Sequence, residues 1–493
     1  MQSVQQSVCV PIRADCAYGT APEPQPVVQI EGLTVMYGAG EAALRDVDLT
    51  VREGEFVLVT GASGCGKTTL ARCLNGLIPH LIPARVEGKI EVAGLNPLEA
   101  GVRRMASHVG MVFQVPEAQL FNLTVEEEVA FGCHNLGLGA DETARRVEFA
   151  LGAVGLETYR RRALHQLSGG EKQLVSIASV LAMEPRVMVL DEPLSNVDSG
   201  AAQRVLGVLQ HLNRSLGMTV LVIEHRTHQV AGTASRVIVM DGGRIVLDGG
   251  PDILRQERAY LATLGVRVPG ETAGSDHPSE TAASSGGETV VSVRDVSFAY
   301  KGRKVLEGVS LDVRRGEFLA LVGDSGAGKT TLAHLIAGAL KPTGGAIRVA
   351  GNGGRGQKIG LLLQSPSDQL FCDTVEEEVR FGPENFGLPV DEVVSEMLGC
   401  ANLLAFRDRE VQHLSRGQQQ RLSLASVLAL EPEVLILDEP TLGQDWGHLI
   451  RFMDFVKGLQ GKGATVLLIT HDREVAAKYA DRMVRLCDGR LVA

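Results

Sequence analysis

The sequence predicts an α/β fold built twice along one chain. Three observations carry this. A 19-residue stretch recurs, "QVPEAQLFNLTVEEEVAFG" from Gln114 to Gly132 and "QSPSDQLFCDTVEEEVRFG" from Gln364 to Gly382, with 13 identical positions. Within each half, short β-branched apolar runs alternate with longer amphipathic stretches, the pattern of parallel strands covered by helices on both faces. Matching landmarks also keep their order, their offset drifting only from 263 at Val27/Val290 to 246 at His225/His471. A single unit has therefore been duplicated.

In chain order, residues 1–26 read as a disordered tail without the charged-then-apolar pattern of a signal peptide. Residues 27–266 form the first domain. Its strand "EFVLVTG" enters a glycine turn, as "EFLALVG" does in the second domain, residues 289–493. "RVMVLDEP" and "EVLILDEP" are buried strands ending in acids, and "TVLVIEH" and "TVLLITH" are strands ending in histidine. The first copy carries twelve extra residues between its glycine turn and Gln114, where "NGLIPHLIPARVEG" replaces "AGALKPTGG". Residues 267–288, rich in Gly, Ser, Thr and Glu, make a flexible linker.

At 493 residues with 44% hydrophobic content, each half can bury its own core. A net charge of −11 argues against nucleic acid as the main partner. The eight cysteines show no C-x-x-C pair, which suits reduced thiols better than a disulfide framework or a zinc site. No apolar run reaches the roughly 18 to 20 residues that cross a bilayer. A membrane role would therefore run through a partner.

Gly61 to Thr68, "GASGCGKT", and Gly323 to Thr330, "GDSGAGKT", each fit G-x-x-x-x-G-K-[ST] between a strand and a helix. The backbone of Gly61, Ala62, Ser63, Gly64, Cys65 and Gly66, and of Gly323, Asp324, Ser325, Gly326, Ala327 and Gly328, can curl N–H groups around phosphates. Lys67 and Lys329 would reach the β- and γ-phosphates, and Thr68 and Thr330 would offer a hydroxyl to Mg²⁺, with Thr69 and Thr331 beside them. Asp191 and Asp438 would complete the Mg²⁺ shell, and Glu192 and Glu439 could polarise the attacking water. His225 and His471 recur at matching distance and would aim at the γ-phosphate. "LSGGEKQ" (Leu167–Gln173) and "LSRGQQQ" (Leu414–Gln420) open helices at Ser168 and Ser415, a second kind of anion-binding terminus. Cys65 reads as a small filler whose modification should block ATP.

In that order, and twice over, these motifs resemble those of the ABC-type ATPases. The resemblance implies a mostly parallel sheet core, an antiparallel β subdomain and a helical subdomain in each copy. It also implies ATP hydrolysis at two head-to-tail interfaces. Site one would join Lys67, Gln114, Asp191, Glu192 and His225 to Ser415 and Gly417. Site two would join Lys329, Gln364, Asp438, Glu439 and His471 to Ser168, Gly169 and Gly170. Gln114 and Gln364 would touch the Mg²⁺ and water region, and Tyr37 and Tyr300 match the aromatic that stacks on adenine. Arg416 stands where glycine is usual and Glu171 where glutamine is, so the two sites can differ. Asp198 and Asp445 would lie near the interface. The copies could pair within one chain or between two chains.

The segment after each glutamine is similar to that of energy-coupling factor (ECF) ATPases. That implies a transmembrane scaffold with coupling helices, a small substrate-capture membrane subunit, and a location at the cytoplasmic face of the membrane. The cargo, a vitamin, a vitamin precursor or a metal ion, would be chosen by a different polypeptide. Glu126–Glu128 and Glu376–Glu378 could favour basic residues on an incoming helix, or could serve as helix starts capped by Thr124 and Thr374. The competing reading is a soluble tandem ATPase acting on ribosomes or DNA, against which the short flexible linker and the negative charge both count.

Overall fold

In the computed structural model, residues 24–268 and 287–492 are described, except 39, 196, 198, 301, 325, 351–357 and 441–445. Ser325, Asp198, Asp445, most of the tail and most of the expected linker therefore lie outside the described residues. The first copy contributes nine strands: β1 (Pro26–Met36), β2 (Ala42–Arg52), β3 (Phe56–Gly61), β4 (Arg85–Val92), β5 (Val109–Val112), β6 (Val187–Asp191), β7 (Thr219–Ile223), β8 (Arg236–Asp241) and β9 (Arg244–Gly249). They form a six-stranded sheet in the order β5-β6-β7-β3-β8-β9 and an antiparallel sheet in the order β2-β1-β4. Within the larger sheet, the β8–β9 pair is antiparallel and the other pairs are parallel.

The second copy repeats this with β10 (Thr289–Tyr300), β11 (Arg303–Arg314), β12 (Phe318–Val322), β13 (Gly344–Val349), β14 (Ile359–Leu362), β15 (Val434–Asp438), β16 (Thr465–Thr470), β17 (Arg482–Cys487) and β18 (Arg490–Val492). Its sheets run β14-β15-β16-β12-β17-β18 and β11-β10-β13. The expected fold is thus observed in both copies.

The burial patterns explain the arrangement. All residues of β3, β6, β7, β12, β15 and β16 are buried, as central parallel strands must be when both faces are covered. The inner strand of the smaller sheet, β1, is instead partly exposed along its length, one face packing and one facing out. A helical subdomain follows β5, with helices Val125–Asn135, Ala140–Val154 and Gly169–Leu181. Its counterpart follows β14, with helices Val375–Phe386, Asp391–Cys400 and Arg416–Leu428.

Five of the twelve extra first-copy residues fall ahead of β4, where the chain makes a short helix, Leu77–His80. Its Ile78 is fully buried in the core that also holds Leu74 and Met105, so the insertion thickens that core. The polar composition after 266 places the start of the linker at Arg267. Arg267 and Val268 are instead packed and buried. At the other end Glu288 pairs with Arg315.

Candidate active site

Each phosphate loop is shaped by glycines that a larger residue could not replace. At Gly61 a Cβ would sit 2.1 Å from the Met240 carbonyl oxygen. At Gly66 (φ +105°) it would meet the Ala43 oxygen at 2.5 Å, so the helix Lys67–Leu74 can start only from a residue without a side chain. Lys67 Nζ donates to the carbonyls of Gly61 (2.9 Å) and Ala62 (2.8 Å), and Lys329 Nζ to those of Gly323 (2.9 Å) and Asp324 (3.0 Å). Both ammonium groups are thus held inside the curl of the loop.

The strand-end acids converge on the same points. Thr68 Oγ1 donates to Asp191 Oδ1 at 3.2 Å, and Thr330 Oγ1 to Asp438 Oδ1 at 3.2 Å. Burial, and secondarily the Glu192 charge, raises the Asp191 pKa; burial pushes Asp438 up to about 6. A buried carboxylate that resists its own charge, next to a hydroxyl, is a fitting partner for a hard cation. Mg²⁺ commonly takes one or two carboxylates and completes its shell with phosphate and water.

Glu192 and Glu439 adopt the left-handed backbone region, at φ +49° and +47°. That conformation is strained for glutamate and is characteristic of functional turns. Each is held there by its own N–H, which donates at 2.9 Å to the end of the neighbouring strand, at Ile223 and Ile469. In site one Glu192 accepts from Gln114 Nε2 at 2.6 Å and lies 2.9 Å from His225 Nε2. In site two Glu439 lies 2.8 Å from His471 Nδ1 and 3.4 Å from Lys329 Nζ. Burial alone would raise the Glu439 pKa, but the His471 hydrogen bond and the His471 and Lys329 charges bring it below the usual carboxylate range. Glu439 is therefore an anion at neutral pH.

A cavity of about 650 Å³ opens over the second site, lined by Tyr300, Lys329, Thr330, Gln364, Glu439 and His471. Arg303 and Lys304, two cations outside the sequence motifs, also line it. Val197 of the first copy reaches the same cavity, so the copies face each other there. In the first copy the Tyr37 hydroxyl lies 3.2 Å from Thr69 Oγ1. The helix starts of "LSGGEKQ" and "LSRGQQQ" stand elsewhere. Ser168 and Ser415 cap their own helices, with Gly169 and Gly170 or Arg416 and Gly417 in the first turn, and neither the serines nor these glycines line this cavity.

Cys65 is 4% exposed, and burial raises its pKa despite the pull of Lys67. Its thiol is accordingly a poor nucleophile. Glu224 is a supporting residue that the motifs do not mark. It is fully buried beside His225, where its carboxyl accepts from the N–H groups of Leu194, His225 and Arg226 and so ties the turn after Glu192 to the histidine. Its one signal in the sequence is a charged residue closing the apolar run "VLVIE".

The acidic runs serve the fold. Glu127 and Glu377 complete capping boxes with Thr124 and Thr374. Glu128 and Glu378 are buried and accept from the N–H groups of Phe121 and Asn122, and of Phe371 and Cys372. Glu126 pairs with Arg160, and Glu376 with Arg380 and Arg407. What these bonds present to solvent is aromatic. Phe121 and Phe131 meet edge-to-face at 4.6 Å and Phe371 and Phe381 at 4.7 Å, with Phe121 62% and Phe371 65% exposed.

The ABC transporter family profile matches residues 44–195 and 306–442. A Methanosarcina acetivorans protein assigned as an ABC transporter ATP-binding protein is 40% identical over 94% of this chain and 85% of its own length. A Caldanaerobacter subterraneus protein with the same assignment is 35% identical over 91% of this chain and 87% of its own. The solved RNase-L inhibitor structure overlays 94% of this chain and 90% of its own with a TM-score of 0.64 at 22% identity, a likeness of fold alone. With both domains matched, an ATP-binding loop in each and relatives aligned along nearly the whole length, the chain belongs to the ABC transporter family as a tandem ATP-hydrolysing protein.

Proposed function

We propose that this chain is the ATP-driven motor subunit of an ECF-type importer, moving a vitamin, vitamin precursor or metal ion through a separate membrane scaffold. The observation that carries the transport half of this reading is the aromatic pair in the segment after Gln114 and after Gln364. An exposed Phe121–Phe131 or Phe371–Phe381 pair is an apolar anchor of the kind that fills a pocket between proteins. In the first copy Phe121 and Phe131 border a groove of about 360 Å³ that also reaches Phe113, the residue immediately before Gln114. A helix of a membrane partner seated there would sit one short step from Glu192.

The chemistry follows from the site residues. Mg²⁺ at Thr68–Asp191 and Thr330–Asp438 would neutralise phosphate charge. Lys67 and Lys329 bind the β- and γ-phosphates. Glu192 and Glu439 orient and deprotonate the attacking water, and His225 and His471 hold those carboxylates in place. Gln114 joins the acid to the docking groove. Val197 in the second-site cavity supports pairing of the two copies within one chain.

Phe121→Asp and Phe371→Asp test the docking role. In mild-detergent purifications each should cut recovery of a polytopic membrane protein about tenfold, while ATP turnover of the isolated chain stays within about twofold. Wild-type recovery by both variants, or capture of ribosomal or DNA-associated proteins with nothing from the membrane, would overturn the importer reading.

A further inference from the structure

An extensive polar contact between the copies lies outside the motifs, at the end of the first domain. Arg267 is 8% exposed and donates to both carboxylate oxygens of Asp472, at 2.7 and 3.1 Å, and to Glu474 from Nε at 3.0 Å. Its guanidinium also lies 4.5 Å from the ring centroid of Trp446, the one tryptophan in the chain. The backbone of Gly265 packs against Gly447, which donates its N–H to the Gly265 oxygen at 3.2 Å. A bidentate, stacked and desolvated arginine is held in one geometry that lysine cannot copy.

The partners are adjacent to catalytic machinery. Asp472 follows His471 and accepts from the N–H groups of Glu474 and Val475, starting the helix Arg473–Tyr479. His471 in turn meets Glu439 at 2.8 Å. On the other side the Arg267 carbonyl accepts from the Thr227 hydroxyl, two residues beyond His225. One residue thus joins the segments behind both histidines.

We propose that Arg267 is a positioning residue for hydrolysis at the second site: through Asp472 it holds His471 on Glu439 and anchors that segment to the first copy. This rests on Glu439 acting as the base. The fork and the stack fix Asp472 sideways, the helix cap fixes it lengthwise, and His471 is left little freedom to leave the carboxylate. The arrangement is lopsided. It is the first domain's tail that docks, and it docks beside His471 of the second copy.

The test uses the full chain in two backgrounds. With Glu192→Gln the remaining turnover is that of site two, and with Glu439→Gln it is that of site one. Arg267→Ala is expected to lower kcat about tenfold in the first background with KM for ATP within about twofold, and to change the second by less than about twofold. Arg267→Lys, which keeps a charge against Asp472 but loses the fork, should fall between wild type and Arg267→Ala. Emission of the single Trp446 should shift in Arg267→Ala, because the ring no longer stacks on a guanidinium, while far-UV circular dichroism stays that of the folded chain. Equal losses in both backgrounds, no loss, or unchanged emission would overturn the proposal. A Glu439→Gln enzyme retaining full turnover would instead strike at the base assignment, so the two failures are distinguishable.

Discussion

Replacing Glu192 and Glu439 together by glutamine is expected to lower ATP turnover about 100- to 10,000-fold, the usual worth of a positioned general base. ATP should still bind. Glutamine keeps the size of the side chain and can still meet Gln114 or the histidines, but it cannot take a proton. The left-handed backbone at both positions makes the substitution informative, because the turn that aims each carboxyl is set by main-chain bonds to Ile223 and Ile469 and survives the change. Steady-state phosphate release gives the rate, and nucleotide retained after gel filtration shows trapping. A double variant with the wild-type rate would exclude both glutamates as bases.

Lys67→Ala and Lys329→Ala are expected to weaken ATP binding about 10- to 100-fold each, the equivalent of one or two charge-assisted hydrogen bonds. These side chains are 5% and 6% exposed, and each holds two carbonyls of its own loop. Removal therefore costs both the ligand contact and part of the loop's shape. Lys329→Ala should have a further effect. Its ammonium lies 3.4 Å from Glu439 and helps to hold that carboxyl below the usual range, so its loss raises the Glu439 pKa. The acid limb of the second site's pH–rate profile should then move to higher pH. Calorimetric titration with ATP, together with rates in the Glu192→Gln background, checks both effects. Unchanged affinity in either variant would remove that lysine from the phosphate site.

Much of the fold and the site is legible in the sequence because the chemistry sits where regular structure ends. Apolar runs mark β3, β6 and β7 and their repeats, and the residues that follow them are the loop, the acids and the histidines. The duplication doubles each signal. Residues that act through distant partners are not legible. Arg267 stands at the edge of a Gly-, Ser- and Thr-rich stretch, and nothing local shows that Asp472, 205 residues away, will bury it. The acidic runs are ambiguous for a different reason. "TVEEEV" fits a docking face and a helix start equally well, and only the bonds from the Phe121 and Asn122 amides to Glu128 show where the charge is used. Leu120 and Phe121 likewise look alike in sequence. The leucine packs against the core and the phenylalanine points out, a division set by the loop that Glu128 holds.

The most direct test of the central claim, that one chain supplies both halves of a two-site motor, is nucleotide stoichiometry in the Glu192→Gln, Glu439→Gln double variant. The protein would be loaded with ATP and Mg²⁺, separated by gel filtration with light scattering, and its bound nucleotide counted. Two ATP molecules retained by a particle with the mass of one chain is the result expected here. Retention only in a particle of two chains, or no more than one ATP per chain, would contradict it.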